Sequence, residues 1–146
     1  MEQRIGARKV LLTTSGSTAL DMAALLCGLQ PGDVVICHYP GRGDTNFVKR
    51  VVGVPGDTLM FVDNVLIRNG EVVDEPYLTP SRNQNGFSML PITLGENEYF
   101  VCGDNRDNSH DCRNLTNGVP EAITRDMIIG HVRYVVYPFS DARSII

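Results

Sequence analysis

The stretch from Thr58 to Val73 constrains the fold more than any other. Two short apolar runs, Thr58–Val62 and Val65–Arg68, are separated by Asp63-Asn64, and a third, Glu71-Val72-Val73, follows Asn69-Gly70. Asp, Asn and Gly tolerate the positive φ angles that a tight two-residue hairpin turn requires. Turns this close together leave no room for a helix, so the three runs must fold back on one another as an antiparallel meander. The surroundings continue the pattern. Pro31-Gly32-Asp33 turns into an apolar run, Val34–Tyr39, and Phe47–Val52 ends at the turn Val54-Pro55-Gly56-Asp57. Glu98–Cys102 reads as a strand, and Ile128–Tyr137 reads as a long final one. Pro120–Ile123 reads as a single helical turn with proline at its first position. The expected fold is mainly β: antiparallel sheets forming a partly closed barrel with one short helical turn. One domain is expected over residues 1–146. Residues 74–97, with three prolines, form a loop-rich excursion able to act as a flap.

Charge and composition exclude several classes. The net charge is −4 and basic residues are scattered, which argues against a nucleic-acid partner. No run reaches the ~18 apolar residues that cross a bilayer. Ala19–Leu29 is short and holds Asp21, and the polar run Thr13–Thr18 interrupts any secretory leader starting at Arg8-Lys9. The cysteines, Cys27, Cys37, Cys102 and Cys112, form no CxxC, and the three histidines are dispersed, so no metal or other cofactor is expected. The thiols read either as small buried hydrophobes or as two cross-links.

Three segments carry candidate chemistry. The first is Gly103–Arg113, which packs three aspartates, two arginines and two asparagines into one loop. Both signs alternate and each Asp or Asn can bond nearby backbone, so the loop is expected to fold on itself through Asp–Arg pairs. The second is Lys49, within Phe47-Val48-Lys49-Arg50-Val51-Val52. Alternation puts Lys49 and Arg50 on opposite faces, so a regular strand is expected to bury only one of them. Burial disfavours an ammonium and supplies a neutral amine able to take a proton, whereas arginine keeps its charge. The third is Thr13-Thr14-Ser15-Gly16-Ser17-Thr18, a turn able to present a hydroxyl nucleophile. A Ser-His-Asp arrangement around His110 lacks a nucleophile elbow.

In their order along the chain, Ser15-Gly16-Ser17, Gly32-Asp33-Val34-Val35, Phe47–Asp57 and Gly103–Arg113 resemble the bacterial type I signal peptidases, Ser/Lys endopeptidases that remove signal peptides from exported preproteins. The resemblance runs from about Ser15 to Phe139, and the short span between the lysine and the charged loop is similar to the compact Gram-positive type. It implies Lys49 as general base and Ser17 as nucleophile. Ser15 and the Ser17 N–H would form the oxyanion site. Ser109 would bond the lysine amine, and Gly103 would leave room beside it. Asp104, Asn105, Arg106, Asp111 and Arg113 would form the framework of the site. An extended substrate would lie along Leu12, Thr13 and Thr14 and along Asn46, Phe47 and Val48, with small residues of Ala-x-Ala type before the cut. The implied partners are signal-peptide segments and the membrane surface, and the implied location is the extracytoplasmic face of the cell membrane, where family members carry a transmembrane anchor.

The sequence departs from the family at two places. After the nucleophile the family reads Ser-Met-x-Pro-Thr-Leu, whereas Ser17 is followed by Thr18-Ala19-Leu20-Asp21. Asp21-Met22-Ala23-Ala24-Leu25-Leu26 offers a second registration, with aspartate in the nucleophile position. That alternative implies a catalytically degenerate relative that binds or assembles surface proteins. Cys112 stands where the family has serine, and it could pair with Cys102 to clamp the loop.

Overall fold

The computed structural model describes residues 28–135 and 143–144. Its strands are β1 (Val34–Cys37), β2 (Phe47–Gly53), β3 (Thr58–Val62), β4 (Val65–Arg68), β5 (Glu71–Val72), β6 (Met89–Thr93), β7 (Glu98–Cys102), β8 (Ile123–Thr124), β9 (Ile128–Val132), β10 (Tyr134–Val135) and β11 (Arg143–Ser144). Five of them form one antiparallel sheet in the order β8-β7-β2-β1-β9, and four form a second in the order β5-β4-β3-β6. The last two pair as a ribbon. The mainly antiparallel β architecture is the one expected. No barrel closes, because the two large sheets share no ladder among the described residues.

The meander forms as its turns require. Asp63 and Asn64 sit at φ 48° and 68°, and Asn69 and Gly70 at φ 54° and 83°, so both two-residue turns are left-handed at both positions. Asn69 also accepts the Thr58 N–H through its side chain and donates to Asp57, which ties the hairpin to the preceding turn. Leu59, Phe61 and Leu66 point inward from this sheet. They meet Val35, Val51, Val52, Phe100 and Val101 from the larger sheet in one core. The sheets approach closely at Gly53. A Cβ there would stand 2.5 Å from Leu59 Cδ1 and 2.9 Å from Leu94 Cδ1.

Three local expectations differ from the structure. Residues 120–122 are not helical. Glu121 N–H donates to the Cys112 carbonyl, and Ile123 pairs with Tyr99 in β8, so the segment is held extended. The short helical turn lies just after it, a 3₁₀ turn at Arg125–Met127. The 74–97 excursion holds a 3₁₀ turn, Pro80–Arg82, and then β6, which pairs with β3. Pro91 is tolerated there because β6 is an edge strand. The final strand is split into β9 and β10, and residues 136 and 137 lie outside the described residues.

Gly53→Ala tests the sheet contact. Overpacking between Leu59 and Leu94 should cost about 1–3 kcal/mol, read as a lower urea midpoint at unchanged m-value.

Candidate functional site

The site forms where β7 runs out beside β2. The two strands pair from Gly53–Phe100 to Arg50–Cys102, so the next position along would set Lys49 opposite Gly103. Pairing stops there because the charged loop takes both backbone groups of Gly103. Its N–H donates to Asp111 Oδ2 at 2.9 Å, and its carbonyl accepts from Arg106 Nε at 3.1 Å. The chain then turns back and brings Ser109 over Lys49, whose Nζ donates to Ser109 Oγ at 2.8 Å. Gly103 makes this contact possible. A Cβ on it would overlap Ser109 Oγ and stand 2.6 Å from Ser109 Cβ and 3.4 Å from Lys49 Nζ.

The floor under the lysine is aromatic. Lys49 Nζ lies 5.8 Å from the centre of the Phe47 ring. Tyr39 packs against Phe47 at 4.8 Å, and His110 meets Tyr39 edge-on at 5.7 Å. Cys37 shares this face of the sheet. Burial pushes its thiol up to about 11 even with Lys49 nearby, so it stays protonated at neutral pH.

Lys49 and Arg50 point to opposite faces as expected, and both are half-buried rather than one buried and one exposed. A regular strand in a two-layer protein has one wet face, but here each face has its own cover. Ser109 lies over Lys49. The Tyr77 ring lies 3.8 Å under the Arg50 guanidinium, which also binds Asp104 through two bonds of 2.8 and 2.7 Å and donates to the Gly32 carbonyl. The bonds to Asp104 outweigh burial and hold Arg50 firmly charged.

The loop is not folded on itself alone. Of its ion pairs only Asp111–Arg113 is internal. Asp104 pairs with Arg50 in β2, and Arg106 pairs with Glu75, a residue the sequence reading missed, through bonds of 2.6 and 3.2 Å. Asp107 accepts the N–H groups of Gln84 and Asn85, so residues 82–85 of the excursion are docked on the loop. Asn105 closes the turn by accepting the Asn108 N–H through its carbonyl. Asp111 is fully buried. Burial alone would raise its carboxyl, but Arg113 and the N–H groups of Gly103 and Arg113 hold it below the ordinary carboxylate range. Cys102 and Cys112 do not pair: Cys37, Cys102 and Cys112 are free thiols. Cys112 Sγ instead accepts the Val101 N–H at 3.3 Å and faces the Tyr99 carbonyl.

Of the positions expected to line a substrate, Asn46 accepts through Oδ1 from the His38 ring Nε2 at 2.8 Å, Phe47 is half-buried and Val48 is 59% exposed. Among the described residues Phe47, Val48 and Lys49 have a strand partner only on the β1 side. Leu12, Thr13, Thr14, Ser15, Ser17 and Asp21 lie outside the described residues.

A family model described as signal peptidase, peptidase S26, matches residues 8–137. The chain belongs to this family. Signal peptidase I S of Bacillus subtilis (strain 168) is 39% identical over 120 residues, which is 77% of this chain and 61% of that protein. Signal peptidase IB of Staphylococcus aureus is 33% identical over 129 residues, 78% of this chain and 64% of that protein. A crystal structure of a signal peptidase I from Enterococcus faecalis V583 superposes with a TM-score of 0.57 at 26% identity, covering 73% of this chain and 97% of that one. The chain thus spans about 61% of the length of the first of these relatives. The fold brings Lys49, Gly103 and Ser109 together.

Asp111→Asn should destabilise the protein by about 3–5 kcal/mol, because Arg113 is left as a buried unpaired charge. The pH dependence follows from the depressed carboxyl. Its contribution is complete above about pH 4, the ordinary unfolded value, and is lost as pH falls through the lower folded value. Chemical denaturation between neutral and acid pH should therefore show a loss of stability in wild type that is smaller in Asp111→Asn.

Proposed function

We propose that the protein is a Ser/Lys endopeptidase that removes signal peptides from exported preproteins after small residues. The observation that carries this reading is the Lys49 Nζ–Ser109 Oγ contact at 2.8 Å beside the side-chain-free Gly103, in a member of the signal peptidase family. The proposed chemistry needs no histidine and no cofactor. The Ser17 hydroxyl attacks the scissile carbonyl as Lys49, in its neutral form, takes the hydroxyl proton. The Ser17 N–H and the Ser15 hydroxyl stabilise the oxyanion. Lys49 then gives its proton to the leaving amine; neutral again, Lys49 takes a proton from the water that attacks the acyl-enzyme and passes it to the Ser17 oxygen as the ester bond breaks. Ser109 holds the amine in line by accepting one of its hydrogens.

The substrate reading is supported by Phe47, Val48 and Lys49 of β2, which among the described residues have a strand partner on the β1 side only. An extended segment can add there by backbone hydrogen bonding alongside residues 46–48, with Leu12–Thr14 on its other side. The partners proposed are signal-peptide segments presented at the membrane surface, with action on its extracytoplasmic face. A second reading rests on Asp21-Met22, which copies the family's Ser-Met with aspartate in place of the nucleophile. An aspartate beside Lys49 would hold the amine charged, and the protein would bind extended peptides without cutting them.

Cleavage of an Ala-x-Ala peptide in detergent decides between these. Wild type should turn over, and Ser17→Ala and Lys49→Ala should each lose about a thousandfold or more in kcat. Turnover that survives Ser17→Ala would sink the nucleophile assignment. Saturable binding without turnover, with activity gained on Asp21→Ser, would establish the second reading.

A further inference from the structure

Glu75 and Tyr77 lie in the excursion between the sheets, on the face of β2 away from the Lys49 amine, and neither belongs to a motif that marked the site. They nevertheless join its two halves. The Tyr77 ring stacks on Arg50, the chain neighbour of Lys49, at 3.8 Å. The Tyr77 hydroxyl donates to Glu75 Oε1 at 2.7 Å. Glu75 in turn binds Arg106 at 2.6 and 3.2 Å, and Arg106 Nε donates to the Gly103 carbonyl at 3.1 Å. The path therefore runs from the strand that carries Lys49, through two residues of the excursion, to the residue that gives Ser109 its room.

Two physical arguments separate this arrangement from ordinary structural support. The Glu75–Arg106 pair is almost dry, with side-chain exposures of 6% and 1%. A buried ion pair is on balance no more stabilising than packed apolar side chains of equal volume. What it adds is a fixed two-point geometry. That geometry is applied where the β2–β7 ladder has ended and no backbone pairing sets the spacing between Lys49 and Gly103.

We propose that Glu75 and Tyr77 are positioning residues that fix the Lys49 amine against Ser109 by clamping β2 to the charged loop. The proposal builds on the reading of Lys49 as the proton acceptor, but its test does not depend on that reading alone. The sequence contains two lysines, Lys9 and Lys49. Acylation of Lys49 by an amine-reactive ester, measured against Lys9 by peptide mass spectrometry, therefore reports directly on the exposure of the site amine. Among the described residues the groups facing that amine are Ser109, Phe47, the Cys37 thiol and Gly103, and it makes no salt bridge. No carboxylate is thus uncovered by the substitutions below to confuse the result.

Tyr77→Leu removes the stack and the hydroxyl. The double variant Glu75→Leu/Arg106→Leu removes the ion pair without leaving a buried charge, and with it the Arg106 bond to the Gly103 carbonyl. Both should keep a cooperative thermal transition. Each should raise Lys49 acylation relative to Lys9 by about threefold or more, as a local opening does. Each should lower kcat on the Ala-x-Ala peptide by roughly ten- to a hundredfold, the scale of an ångström of misplacement, with KM held within about twofold. Tyr77→Phe keeps the stack but breaks the bond to Glu75, so it should fall between wild type and Tyr77→Leu in both readouts. Folded variants whose Lys49 acylation matches wild type overturn the proposal, even if their activity falls. A wild type that turns over no peptide defeats the peptidase reading and leaves the acylation arm to decide the clamp.

Discussion

The site depends on the backbone of one residue without a side chain. Gly103 is the first position after β7, and both of its hydrogen-bonding groups are taken by the charged loop, its N–H by Asp111 and its carbonyl by Arg106. Those two bonds end the strand, turn the chain and return Ser109 to the space a side chain would fill. The strand end and the site therefore share one cause. A Gly103 whose N–H and carbonyl paired with β2 would extend the sheet by a residue, and the loop would lose the anchor that carries Ser109 to Lys49.

The charged residues around this pivot do different jobs. Asp111 and Arg113 form the internal pair, and Arg113 also donates to the Arg106 carbonyl, so they set the shape of the turn. Asp104 and Arg106 reach outward, one to β2 and one to the excursion, and fix where the turn sits. Burying this much charge gives little net stability. It gives direction, because a guanidinium in a fork of carboxylate oxygens cannot slide as an apolar contact can. The buried thiols around it supply packing. Burial raises Cys102 and Cys112 well above their ordinary range, so they remain neutral fillers of the core.

The fold was legible where chain geometry is local. Asp63-Asn64 and Asn69-Gly70 announce their turns because few residues tolerate φ > 0 at two positions running. The opposite facing of Lys49 and Arg50 follows from strand alternation, and the importance of the charged loop follows from its composition. What stayed hidden depends on distant partners. Glu75 lies 31 residues from Arg106 and sits in a proline-rich stretch that reads as loop, so nothing nearby marks it as a buried anion. The coverage of both faces of β2 was missed for the same reason, since Tyr77 comes from that stretch. Pro120 misled because proline opens a helix only if the following N–H groups are free, and here one is spent on Cys112. The pairing of Cys102 with Cys112 failed on geometry that spacing does not carry: the Cys112 sulfur is aimed at the backbone of β7.

The order of Lys49 and Arg50 along β2 is then fixed by chemistry on both faces. Arg50 makes two bonds to Asp104, one to the Gly32 carbonyl and a flat stack on Tyr77, a set that needs several donors in one plane. A lysine there offers a single point of charge and would leave Asp104 and Gly32 competing for it. The opposite face has room for one amine between Ser109, Gly103 and Phe47. A guanidinium holds its proton at any physiological pH, so under the proposed mechanism it could not take the hydroxyl proton there. Exchanging the two residues would preserve charge, strand register and composition, and it would still dismantle both faces, because each face selects a head-group shape rather than a charge.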